Sequence, residues 1–120
     1  MADERQIPSL IDQAESVSSD YLKDKSPAAR KELVRLCKLL AKEVFNLCGV
    51  REEAVLHNKT LIVDPMLDQI EIAETDSTGD FDEAKREWIT TDDDCAPSDW
   101  AIRYFLVMVP KLPPIRRLLE

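Results

Sequence analysis

The stretch SPAARKELVRLCKLLAKEVFNLCG, Ser26 to Gly49, decides how the rest of the chain is read. Ser26 supplies an oxygen for the free N–H groups of a helix start. Pro27 takes the first helical position, where a missing N–H costs nothing. Gly49 stands where a helix commonly closes through a left-handed residue. Between these marks, Leu33, Leu36, Cys37, Leu40, Val44 and Leu47 recur at three- and four-residue spacing, the period of one apolar helix face. A helix over 27–48 is about 33 Å long at 1.5 Å per residue. Leu39 and Phe45 fall beside the main stripe, so this rod is expected to be covered from more than one side.

Working outward, Leu10, Ile11, Ala14, Val17, Tyr21 and Leu22 predict an earlier amphipathic helix from Pro8 or Ser9 to about Lys23. The connector Asp24-Lys25-Ser26-Pro27 is short, which favours an antiparallel helical hairpin. Downstream, Arg51–His57 reads as a short third helix. Thr60–Val63 and Gln69–Ala73 read as strands that pair through the Asp64–Asp68 loop. This helix–helix–hairpin order suits a winged-helix arrangement. Thr75–Asp80 is a loop, Phe81–Ile89 a short helix with Phe81, Ala84 and Trp88 inward, and Thr90–Pro97 an acidic connector. Ser98 caps a helix over the apolar Trp100–Val109, which stops near Pro110. The expected fold class is α+β, mostly helical: an antiparallel helical hairpin, a small β-hairpin and a C-terminal apolar helix. Residues 1–109 form one globular domain, and 110–120 form a Pro/Arg-containing tail.

The net charge of −8 is concentrated in one place. Eleven acids lie between Glu71 and Asp99, opposed there by Lys85 and Arg86 alone. Such a chain repels phosphate backbones, which argues against nucleic acid as a partner. With two glycines, Gly49 and Gly79, it has no glycine-rich phosphate loop. Cys37, Cys48 and Cys95 are odd in number and form no C-x-x-C pair, which fits a reducing, intracellular and specifically cytoplasmic setting. Cys37 and Cys48 are read as small core residues. Met1–Arg5 lacks the apolar stretch of a secretory leader, and the longest apolar run, Tyr104–Val109, is far below the ~20 residues of a membrane span.

Five constellations carry chemistry worth weighing. Asp76, Thr78, Asp80 and Glu87 occupy positions 1, 3, 5 and 12 of a segment that resembles an EF-hand calcium loop. Phe81 stands where that loop needs glycine, so a solvated acidic loop is the expected reading. Asp92-Asp93-Asp94 with Asp99 offer hard oxygen ligands, but consecutive acids diverge, and no metal is expected. The single histidine, His57, has no sequence link to Cys48 or Cys95, so no thiol catalysis is expected. Pro110, Pro113 and Pro114 give P-x-x-P spacing with Arg116 and Arg117 nearby, as in ligands of aromatic grooves. Finally, Lys31, Arg35, Lys38 and Lys42 fall at three- and four-residue spacing and form one basic stripe on the long helix.

Residues 9–48, with Tyr21-Leu22 followed by Ser26-Pro27-Ala28-Ala29-Arg30-Lys31-Glu32-Leu33, resemble the N-terminal helices of fungal O-methyltransferases. Those helices dimerise subunits ahead of a cofactor-binding domain. The resemblance covers a third of the chain and ends before residue 49. No glycine-rich cofactor loop accompanies it, so it implies assembly rather than methyl transfer.

The expectation is therefore a non-enzymatic protein-interaction or assembly module without a cofactor. Its partner is another protein or a second copy, not nucleic acid or a membrane. Lys31, Arg35, Lys38 and Lys42 are the basic contact set, and Asp92, Asp93, Asp94 and Asp99 the opposite pole. Two alternatives come from other classes. One is a small-molecule-binding protein whose apolar pocket is lined by Trp88, Trp100, Tyr104, Phe105 and Met108. The other is a dimerisation-type, non-catalytic subdomain of a larger enzyme.

Overall fold

A computed structural model describes residues 6–75, 81–92 and 97–120 of the chain, the side chains of residues 75 and 81–84 excepted. Helix α1 (Gln6–Asp24) and helix α2 (Pro27–Leu47) come first. Strands β1 (Glu52–Leu56), β2 (Lys59–Asp64), β3 (Gln69–Thr75) and β4 (Phe81–Thr90) follow. Helix α3 (Asp99–Met108), a 3₁₀ turn (Val109–Lys111) and helix α4 (Pro113–Leu119) close the chain. The fold is α+β and mostly helical, and the two N-terminal helices pack together.

The expected helix starts are present, but α2 closes one residue early: Cys48 is its C-cap, with its amide donating to the Val44 carbonyl, and Gly49 is not left-handed. Ser26 accepts a hydrogen bond from the Ala29 amide at 3.4 Å, and Pro27 opens α2. Lys25, between the two helices, has φ 53°, and its amide closes α1 on the Tyr21 carbonyl at 2.7 Å. Residues Leu33, Leu36, Cys37, Leu40, Ala41, Val44 and Phe45 of α2 are buried, against Ile7, Leu10, Ile11 and Ala14 of α1 in the same core. Each fully buried leucine contributes about 1.5–3 kcal/mol, which is why this face dominates.

The sheet corrects the expected small hairpin. Four antiparallel strands run in chain order, β1-β2-β3-β4. Arg51–His57, expected as a helix, supplies β1, and His57-Asn58 make a two-residue turn in which His57 has φ 56°. Five residues are too few for a helix that must stand alone, and pairing with β2 satisfies their backbone instead. Phe81–Ile89, also expected as a helix, lies in β4, because its partner β3 lies alongside, with a register shift between Ala73 and Thr75. Ile89 is opposite Ile70, and both are buried. A four-strand meander also replaces the two-stranded wing of a winged-helix arrangement.

Residues alternate across this sheet. Ala54, Leu61, Val63, Ile70, Ile72 and Ile89 face the core, where α2 and α3 meet the strands. Glu53, Ile62, Glu71 and Trp88 form one row on the other side. Between β2 and β3, Asp64 Oδ1 accepts from the Met66 amide at 3.2 Å and starts the turn that ends at Asp68.

Ser98 caps α3 as expected, accepting from the Ala101 amide at 3.2 Å. Its hydroxyl also donates to the Glu87 carboxylate, which ties α3 to β4. Tyr104–Met108 is helical, and α3 stops just before Val109-Pro110. The stretch expected as a Pro/Arg-containing tail is structured. Pro113 and Pro114 sit in the first turn of α4, where proline fits, and Leu112 and Ile115 are fully buried. Its P-x-x-P segment thus runs from the 3₁₀ turn into the start of α4 rather than forming an extended stretch.

Candidate functional site

The basic stripe of α2 lines one groove. Lys31, Arg35, Lys38 and Lys42 border a cleft of about 750 Å³ together with Val34, Leu39, Phe45, Asn46, Asp68 and Thr91. Helical spacing places the four cations on the side of α2 opposite its buried face. Asp68, from the β2–β3 turn, and Thr91, beyond β4, form the far wall. Val34 and Phe45 lie toward the core, and Leu39 is 40% exposed, so the groove has an apolar floor under a charged rim.

The four cations differ in what holds them. Arg35 Nε donates to Glu32 Oε2 at 3.0 Å, and a second guanidinium nitrogen donates to Oε1, a bidentate pair one turn apart. This contact holds the Glu32 carboxyl below its usual range and raises Arg35. The Lys38 ammonium donates to the Asp92 main-chain carbonyl. That bond orients Lys38 without cancelling its charge. Lys31 and Lys42 make no ion pair among the described residues.

The expected acidic pole divides. Asp92 borders α2 through its carbonyl, and its amide donates to Thr90 Oγ1 at 3.3 Å. Asp93 and Asp94 lie outside the described residues, as does Cys95. Asp99 belongs to an internal junction. It accepts from the Tyr21 hydroxyl at 2.9 Å and pairs with Arg30 Nε at 3.3 Å. The Arg30 guanidinium also donates to the Pro97 carbonyl at 2.9 Å. Three helices meet here, and the Tyr21 phenol is raised, first by its bond to Asp99 and then by burial.

The five residues expected around one pocket are not gathered in one. Phe105 and Met108 are fully buried core residues. Trp88 is 42% exposed on the sheet. Trp100 and Tyr104 meet edge to face, with ring centroids 5.1 Å apart. Trp100 borders a recess between α1 and α3.

Asp76, Thr78 and Asp80 of the calcium-loop segment lie outside the described residues, and Glu87 is on a strand where such a loop needs a helix. No group of three or more His, Cys, Asp or Glu side chains suited to a metal occurs among the described residues. Cys37 and Cys48 are buried, and burial pushes their thiols up to about 12 and about 11. Neither is a ready nucleophile. Among the described residues no helix is long and apolar enough to cross a membrane.

No protein-family model, curated protein or solved structure matches the chain. None of these comparisons supports the resemblance of residues 9–48 to methyltransferase helices.

Sequence spacing finds the rim of the groove and, in Leu39 and Phe45, part of its floor, but not its far wall. Val34 and Phe45 flank the basic stripe at helical spacing, so a wider helical projection reveals them. Asp68 and Thr91 have no local signal, because only the sheet brings them beside α2. Arg30 was outside the stripe, and its place beside Asp99 depends on the docking of α3.

Proposed function

We propose that the chain is a non-enzymatic protein-interaction or assembly module that docks its partner along the basic groove of α2. The observation that carries this reading is that Lys31, Arg35, Lys38 and Lys42 border one groove with an apolar floor. Interfaces of this kind combine a desolvated apolar centre with a polar rim that selects the partner by charge. A partner surface with acids around an apolar ridge meets both demands. That surface belongs to another protein or to the acidic 71–99 region of a second copy, with Asp92, Asp93 and Asp94 as its natural contacts. Asp99 leaves this set, because Tyr21 and Arg30 occupy it. The setting is the interior of the cell, the cytoplasm, and the buried thiols Cys37 and Cys48 support it.

The test compares wild-type protein with Lys31→Glu/Arg35→Glu/Lys42→Glu, leaving Lys38 on its carbonyl. Light scattering measures the mass of each at low salt and at about 1 M salt, where screening reaches within about 3 Å. Affinity capture on both proteins, read by mass spectrometry, covers a foreign partner. The expected result is an assembly or a captured protein seen with wild type, weakened by salt and lost in the triple variant. Identical masses and identical captured proteins for the two would overturn the proposal.

A further inference from the structure

A second recess, of about 540 Å³, opens between the end of α1 and the start of α3, away from the α2 groove. Its walls include Tyr21, Leu22, Lys25, Trp100, Ile102 and Arg103. Leu22 is 66% exposed, which is unusual for a leucine beside two aromatic rings. Trp100 is held edge-on by Tyr104. Leu22 and Arg103 also border a neighbouring hollow of about 340 Å³ that runs toward Pro110, lined by Leu106 and Val107 on one part and by Glu15, Ser18 and Ser19 on the other.

The charges here are unbalanced. Asp99 is the carboxylate at the recess, and Arg30 and Tyr21 already engage its two oxygens. Lys25 Nζ lies 4.9 Å from the centre of the Tyr21 ring, and the Arg103 guanidinium 5.8 Å from that of Tyr104. Neither cation has an ion pair among the described residues. In a chain of net charge −8, two cations without an ion pair among the described residues, lining one recess with Tyr21 and Trp100, are a local reversal of sign. The backbone adds a second observation. Lys25 has φ 53°, in the left-handed region at a helix end that glycine or asparagine fills with less strain. A lysine there bears that cost and places its ammonium over Tyr21.

We propose that this recess binds a small flat organic anion, an aromatic carboxylate or sulfonate. The ring of the ligand lies against Trp100 and Leu22, and its anionic group is held by Lys25 and Arg103. A volume of a few hundred cubic ångströms suits one such molecule. Arg and Lys give an anion its strongest hydrogen bonds, stronger where apolar walls exclude water. This site is independent of the α2 groove and of any partner there.

The experiment titrates the whole chain with 2-naphthoate, and with uncharged 2-naphthalenemethanol, by calorimetry and by the two tryptophan indole N–H resonances. Trp88→Phe assigns them, since the chain has two tryptophans. The expected result is one saturable site for naphthoate, a shift of the Trp100 resonance, and roughly tenfold weaker binding of the alcohol. Lys25→Gln/Arg103→Gln should weaken naphthoate by roughly tenfold or more, and Lys25→Glu/Arg103→Glu further. The α2 triple variant should bind it as wild type does. Absence of saturation, equal binding of acid and alcohol, a shift confined to Trp88, or unchanged affinity in the glutamine variant would each overturn the proposal. So would binding at Trp100 of a glutamate-rich peptide without binding of naphthoate, which would make the recess a peptide groove.

Discussion

The two long sides of α2 share a helix and little else. One side, from Leu33 to Phe45, is closed by α1, α3 and β4 and contributes to the core. The other carries four cations over a shallow apolar floor and is open to solvent. Side chains on the first side are fixed by neighbours from three elements. On the second, one is held within its own turn, one by a main-chain carbonyl, and two by no ion pair among the described residues. The lesson is that one amphipathic segment can be rigid in its placement and free in its chemistry. Changes to the closed side should move stability alone, and changes to the open side should move recognition alone.

The largest effect tests the closed side. Leu40→Ala removes a fully buried side chain and should cost about 2–5 kcal/mol, read as a lower midpoint in urea. A cost near zero would mean that this face is not core. Next comes the helix start. Ser26→Ala leaves the Ala29 amide without its acceptor and should cost about 1 kcal/mol in the same assay.

A smaller effect is expected at the junction that anchors α3. Asp99→Asn removes the Arg30 ion pair, whose partners are partly exposed, and should cost under about 1 kcal/mol. Its clearer readout is pH. Tyr21 is raised in the folded chain, so the stabilisation it provides is full below the ordinary phenol value. That stabilisation is lost as pH rises through the folded value. Ultraviolet titration should find the Tyr21 midpoint lower in the asparagine variant. The smallest effect belongs to the open side. Reversing Lys31, Arg35 and Lys42 should leave the unfolding midpoint within about 0.5 kcal/mol of wild type. A large loss there would show that the stripe supports the fold, and the contrast between the two sides would fail.

Legibility in the sequence followed the same division. Helices α1, α2 and α3 announced themselves through caps and period, because these signals are local. Strands β1 and β4 did not. Glu52–Leu56 is too short for its period to separate helix from strand, and β4 becomes a strand through its partner β3. Leu112 and Ile115 were hidden by three nearby prolines, which read as extended chain until two of them prove to open a helix. At the site, the four cations could be picked out by spacing on one helix. Asp99 is exposed, but its pairing with Tyr21 has no local signal, because that hydrogen-bond donor lies 78 residues away in sequence. Fixed spacing along one helix is readable from residues alone, and meeting points between distant elements are not.

The plain order of the strands bears on how quickly the chain finds its shape. Each strand pairs with the one made just before it, and the two long helices also join as neighbours. Loops close cheaply when their ends are near in the chain, and folds dominated by such closures reach the native state fast. The arrival of α3 and α4 against the two N-terminal helices spans more than half of the length, which makes that docking the natural slow step in refolding.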